Sequence, residues 1–473
     1  MRSTYLHDMQ DRFARVIANA TKQGASAAKV SFSHGESLSC SFEAGRLKYA
    51  DSAESLGYNI AVIRNGRSGV AGGNIPAAMD ELVERAISFA QIGAVAHFSH
   101  YPAPTTYVDL KSHSPRVLTL SREKMISDCQ EMVDYVKSLD DSLDISASAS
   151  RSEGESAVAN SAGLNETDME TSWNLNLGIQ KTSGTDMLFS YDYRSWLDLN
   201  ELYDLDALKS AIAFDLRHAA RSATISDGVY PIYLPPRMLG SFLTPISMGI
   251  NGRDVFKGTS PLKDELGKQC FSPALTIIDN PHIDFSPASA AFDGAGIATR
   301  PMTLVDQGVL KTFLYDYDSA CLAQATPTGH SGSSPYTMFV QPGQRSADAM
   351  LKSIPKGLYI KQLLGFGQSN LANGDFSCNA ALAYLIENGE IVGRVKNAMI
   401  AGNILSLLKG DIEFSSDLDP QNRQPHAIIP GVSVVTPKTE APPPTTYTVQ
   451  LGAQVANSPS RCGHPSSTPS TGP

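Results

Sequence analysis

GLYIKQLLGFGQSNLANGDFSCNAALAYLIENGEIVGRVKNAMIAGN (residues 357–403) carries the densest β signal in the chain. Leu358, Tyr359, Ile360, Leu363 and Leu364 form a β-rich run that stops at Gly365-Phe366-Gly367. Residues 376–386 alternate loosely and are rich in small side chains. Asn388-Gly389 then turns the chain into 391–395. An Asn-Gly pair between two apolar runs is a strong hairpin signal, because both residues tolerate φ > 0. Gly365, Gly367 and Gly374 mark sharp bends or close backbone approach. Closed by Ala401-Gly402-Asn403, this segment reads either as a sheet hairpin with tight turns or as the wall of a groove.

Working outward, 230–234 reads as a strand ended by Pro235-Pro236. Residues 237–249 are helical in pattern, with Pro245 placed to kink or end the helix. Further strands are expected at 275–278, 302–305 and 310–315, with short helices at 318–324 and 347–354. Residues 228–436 are therefore expected to form a β-rich carboxy-terminal domain, a mixed sheet or distorted barrel. Upstream, helices are expected at 8–22, 77–92, 121–139 and 204–223. Ser121 is placed to cap the third. Strands are expected at 29–33, 38–43, 57–63, 68–71, 145–150, 156–160, 169–181 and 187–194. The residues 34–37 are read as the turn between the first two. A loop fills 97–119, where Pro102, Pro104 and Pro115 break any periodicity. This makes 1–227 an α+β domain, an open sheet covered by helices on one face. The Pro/Ser/Thr-rich residues 437–473 are expected to be a disordered tail, and Cys462 and His464 within it to be solvated.

A length of 473 residues fits two domains. The net charge of −10 argues against nucleic acid and against an anionic membrane surface. The six cysteines are scattered without a Cys-x-x-Cys pair, which points to a reducing cytoplasm rather than a disulfide framework. No apolar run suits a membrane span or a signal peptide.

The chemistry-bearing residues form no complete set. A metallopeptidase helix needs two histidines one turn apart with Glu beside the first. His97 and His100 lie in a Pro-flanked loop without such a Glu, and read as solvated. Nucleophile elbows and phosphate loops are missing as well. Cys378, on an expected strand, reads as a buried inert thiol. Thr328, Gly329 and His330 sit in a small-residue loop, PTGHSGSS (327–334). Such a loop either presents backbone amides to a peptide carbonyl or carboxylate, or is a connector around a hydrogen-bonded His.

Several phrases, in order, resemble the TldD/PmbA family of modulator proteins and metalloproteases. They are FEAGRL (42–47), RSG (67–69), FKGTS (256–260), DELGK (264–268), FDGAG (292–296), VLKTF (309–313), PTGH (327–330), GDFS (374–377), IENGEI (386–391) and IAGN (400–403). The resemblance spans nearly all of 10–435. It implies a heterodimeric protease in which the TldD branch binds zinc through a His-Glu-x-x-x-His helix and a Cys near its carboxy terminus. The corresponding stretches here, RMLGSFLTPISMGING (237–252) and RQPHA (423–427), lack that His, Glu and Cys. The chain thus resembles the PmbA (TldE) branch. The resemblance implies no cofactor in this chain, zinc in a TldD-type partner, and unfolded peptide as substrate. A homodimer is the alternative assembly. The peptide is expected beside a strand edge near 358–385, with Thr328, Gly329, His330, Gly365 and Gly367 as candidate groove residues.

Overall fold

The structure, a computed structural model, describes residues 4–75 and 78–436, so the tail expected at 437–473 lies outside the described residues. The amino-terminal half runs α1 (Thr4–Lys22), β1 (Ala27–Glu43), β2 (Arg46–Arg64), β3 (Arg67–Gly73), α2 (Met79–Phe89), α3 (Arg122–Leu139), β4 (Asp144–Asn160), β5 (Asn165–Ser183), β6 (Asp186–Trp196) and α4 (Leu205–Ala219). The carboxy-terminal half continues with β7 (Ser222–Ala223), β8 (Gly228–Leu234), α5 (Pro236–Phe242), α6 (Thr244–Gly249), α7 (Gly252–Phe256), β9 (Ile277–Asp279), β10 (Met302–Asp306), β11 (Val309–Leu310) and α8 (Tyr317–Ala323). It ends with β12 (Met338–Val340), α9 (Ala347–Lys352), β13 (Lys356–Leu364), β14 (Asp375–Glu387), β15 (Glu390–Val395), β16 (Met399–Asn403), α10 (Ile404–Leu407), β17 (Glu413–Leu418) and β18 (Pro425–Val435).

The first sheet is antiparallel in the order β3-β2-β1-β4-β5-β6. Its helices all lie on one face, as the sequence pattern requires. Val30 and Phe32 of β1 sit opposite Ala159 and Ala157 of β4, and this end is covered by α1 and α2. Cys40 and Phe42 sit opposite Ala149 and Ala147, and this end is covered by α3 and α4. Equal parity along a strand means the same face. Ser121 caps α3 as expected, accepting from the Lys124 amide at 3.2 Å.

The turn expected at 34–37 is not there. The chain runs straight through as one strand, with Gly35 opposite Ser55 on one side and Gly154 on the other. The two strands expected at 145–150 and 156–160 are likewise one, β4. The apolar pattern lapses in mid-strand because the helix pairs cover the two ends and leave the middle to polar side chains. His34 there lies between Glu54, at 3.0 Å, and Glu155, at 3.5 Å.

The second half is a closed barrel. Strands β13-β8-β18-β16-β14 are bonded in sequence, and β13 pairs back with β14. The β8–β13 pair is parallel and the others are antiparallel, which gives the mixed barrel expected. The β14–β15 hairpin turns on Asn388 and Gly389, at φ +52° and +79°. Ile232, Leu234, Leu358, Ile360 and Leu385 fill the barrel together with Leu239, Phe242 and Ile246 of α5 and α6. Tyr233, Tyr359, Leu382, Tyr384 and Ile386 point the other way. They join one apolar cluster with Trp173, Leu175 and Leu208 of the amino-terminal half. The two halves therefore share a core rather than meeting at a wet surface.

Candidate functional site

Barrel closure removes part of one expectation. Leu358 and Tyr359 pair with β8 on one side and β14 on the other, so no strand edge is free there for a peptide. The loop at 328–330 is also sealed. His330 Nε2 lies 2.9 Å from Asp279, and its Nδ1 lies 3.0 Å from the Thr328 carbonyl oxygen. Both ring nitrogens are thus occupied, and both side chains of the pair are fully buried. Asp279 also accepts from the Thr337 amide at 2.6 Å. Thr328 accepts from the Tyr315 amide at 2.9 Å. Gly329 is held at φ +77°, where an added Cβ would lie 2.5 Å from the Ala298 carbonyl oxygen. Thr328, Gly329 and His330 therefore form a buried anchor and do not line a groove. Gly365 and Gly367 are elsewhere, and an added Cβ at either would meet nothing within 4 Å. Phe366 between them stacks on Phe242 of α5, with ring centres 5.4 Å apart.

The remaining candidates behave as structural residues. Cys378 is buried in β14, and burial pushes its thiol up to about 11. His97 binds Asp318 at 3.0 Å, whereas His100 contacts the Ser26 carbonyl at 3.0 Å, so the two do not converge. Burial alone would raise the Asp318 carboxyl, but hydrogen bonds from His97 and Arg253 outweigh it and hold it low.

What the structure does present is a cleft of about 430 Å³ beside α5 and α6. Pro236 opens α5, and the break expected from Pro245 falls at Leu243. The buried stripe of these helices, Leu239, Phe242, Leu243 and Ile246, faces the barrel core. Arg237, Gly240, Ser241 and Thr244 line the cleft. Tyr193 of β6, Thr337, Met338 at the start of β12, and Asn422 and Gln424 form the other walls. The turn carrying Asn422 is fixed by Asp419, which accepts from the Gln421 and Asn422 amides at 3.1 and 2.6 Å.

Arg237 is the one charged side chain among the residues lining the cleft. The Arg237 guanidinium sits 4.1 Å from the Tyr193 ring centre and pairs with Asp192 at 2.5 Å. Asp192 also pairs with Arg194 at 3.0 Å, so one carboxylate serves two cations. Gln424 accepts from the Val340 amide at 3.2 Å and donates to the Met338 carbonyl, which occupies the edge of β12. The Thr337 hydroxyl is buried without a hydrogen-bond partner among the described residues.

The carboxy-terminal residues 227–438 match the family model described as the PmbA/TldA metallopeptidase C-terminal domain, and residues 28–90 match the PmbA/TldA metallopeptidase domain 1. The chain belongs to the TldD/PmbA family. It is 26% identical over 388 residues to a Metalloprotease of Methanothermobacter thermautotrophicus, covering 79% of this chain and 84% of that one. It is 31% identical over 181 residues to a Metalloprotease PmbA homolog of Buchnera aphidicola, covering 38% of this chain and 40% of that one. The fold is that of TldE from Thermococcus kodakarensis, with a TM-score of 0.78 at 20% identity, over 89% of this chain and 99% of that one.

Within the family frame the cleft takes on a specific meaning. Residues 237–252 and 423–427 are the stretches that the resemblance aligns with the zinc-binding parts of the TldD branch, and residues of both line this cleft. A zinc site needs imidazole, thiolate or carboxylate donors. The lining offers a guanidinium, hydroxyls, a thioether and amides instead. A cation set beside Arg237 would also be repelled. These residues do not fit zinc. The sequence marks 237–252 as a helical stretch broken near Pro245 and without the His-Glu-x-x-x-His pattern. Its one positive signal was the spacing of Arg237, Ser241 and Thr244, which places polar groups on one helical face.

Proposed function

We propose that this chain is a PmbA/TldE-like subunit of a TldD/TldE-type metallopeptidase complex that processes or degrades unfolded peptides in the cytoplasm. Zinc and the hydrolytic step belong to a TldD-type partner. This chain supplies a wall of the chamber that admits peptide. The observation that supports the reading is the cleft between α5 and the 419–424 turn, which is lined by residues of the two stretches that the resemblance matches to the zinc-binding parts of the TldD branch and offers no imidazole, thiolate or carboxylate. No helix among the described residues is long and apolar enough to cross a membrane.

The test is assembly. Purified chain mixed with a TldD-type protein should co-elute as one complex in size-exclusion chromatography, and unfolded peptide should be cleaved by that fraction. The competing reading is a stand-alone homodimeric peptide-binding or regulatory protein. A homodimer that binds peptide, ignores the TldD-type protein and leaves its activity unchanged would replace the proposal.

A further inference from the structure

The cleft is lined by no imidazole, thiolate or carboxylate, and it is not filled. An added Cβ on Gly240 would meet nothing within 4 Å, and the volume of about 430 Å³ lies within the range of small-ligand sites. What lines it is a set of donors. Arg237 contributes a guanidinium whose plane is fixed by the Tyr193 ring and by Asp192. Ser241 near the end of α5 and Thr244 at the start of α6 add hydroxyls, and Asn422 adds an amide. No carboxylate lines the cleft, and Asp192 behind it is shared between Arg194 and Arg237.

We propose that this cleft binds a carboxylate, and that its ligand is the free carboxy terminus of a short peptide. The chemistry follows from the donors. A guanidinium presents parallel N–H groups matched to the two oxygens of a carboxylate. The cleft is far larger than an inorganic anion. Strand pairing cannot hold the peptide here, because the Gln424 amide already occupies the Met338 and Val340 positions at the edge of β12. Recognition is therefore centred on the terminal charge rather than on mid-chain backbone. The proposal rests on the reading above only in taking peptide as the ligand class.

The experiment is calorimetric titration of the full-length chain, alone, with trialanine, trialanine carboxamide and acetate. Trialanine should bind saturably, and the carboxamide and acetate should each bind at least about tenfold more weakly. Gly240→Leu, which enters open space on a helix, should abolish trialanine binding while keeping the wild-type melting temperature. Ser241→Ala should weaken binding about threefold or more. Arg237→Ala should also abolish binding, and Gly240→Leu guards against the loss of the Asp192 pair confusing that result. Equal binding of acid and carboxamide, no binding of trialanine, or unchanged binding by Gly240→Leu would overturn the proposal. Acetate binding as tightly as trialanine would reduce the cleft to a simple anion site and overturn the peptide assignment. Each measurement uses the lone chain, so its failure leaves partner-dependent proteolysis as a separate question.

Discussion

Tyr384 of β14 donates its phenolic hydrogen to a carboxyl oxygen of Asp215 on α4, 2.9 Å away, and so joins the barrel to the amino-terminal half. Ser190 donates to the other oxygen at 2.5 Å, and Lys361 stands 3.7 Å off. Both Asp215 and Tyr384 are almost completely buried. Tyr384→Phe should therefore leave one carboxyl oxygen without its donor and cost about 1–3 kcal/mol. Urea unfolding would measure it, and an unchanged midpoint would show that the link carries no stability.

The same Asp215 sets a pH dependence. Burial is the largest influence and raises its carboxyl, despite Lys361, Ser190 and Tyr384 acting the other way. Its folded form therefore holds a proton more readily than its unfolded form. The stabilising contribution is complete below the unfolded value of about 3.9 and is lost as pH rises through the raised folded value. Asp215→Asn should remove that component. The stability of the wild type relative to Asp215→Asn should fall as pH is raised above about 4, and a parallel pair of stability–pH curves would contradict this.

His330 and Asp279 make a structural prediction. Asp279→Ala would leave the His330 ring nitrogen and the Thr337 amide without their buried partner, at a cost of about 1–3 kcal/mol for each. His330→Ala should lower the melting temperature as well. In the reconstituted complex it should leave peptide cleavage per folded molecule unchanged, because the ring is sealed from any substrate. A folded His330→Ala variant that lowered the cleavage rate tenfold would restore His330 as a functional residue.

The shared core predicts the behaviour of a fragment. Residues 228–436 expressed alone would expose Tyr233, Tyr359, Leu382, Tyr384 and Ile386, which the amino-terminal half now covers. The fragment should bind a hydrophobic dye strongly or aggregate. A monomeric, dye-silent, cooperatively unfolding fragment would show that the barrel is independent.

Local signals were legible and long-range ones were not. The Asn388-Gly389 hairpin and the Ser121 cap were readable because each depends on a few adjacent residues. The straight course of β1 was hidden by its polar centre, where His34 finds Glu54 and Glu155 instead of a helix. Barrel closure pairs Leu358 with Ile232, a register that no local pattern encodes. The cleft was equally distant in sequence, since Tyr193, Arg237, Thr337 and Asn422 come from four separate segments. The groove expected at Thr328 and His330 failed because a small-residue loop looks the same whether its side chains face solvent or a buried carboxylate.

The most direct test of the central claim is zinc content together with peptide cleavage, measured on the purified chain alone and after mixing with a TldD-type protein. The account predicts no stoichiometric zinc and no cleavage by the chain alone, with cleavage of unfolded peptide by the mixture. Stoichiometric zinc and cleavage by the lone chain would contradict it, and would place a metal centre outside the cleft lined by Arg237, Ser241 and Thr244.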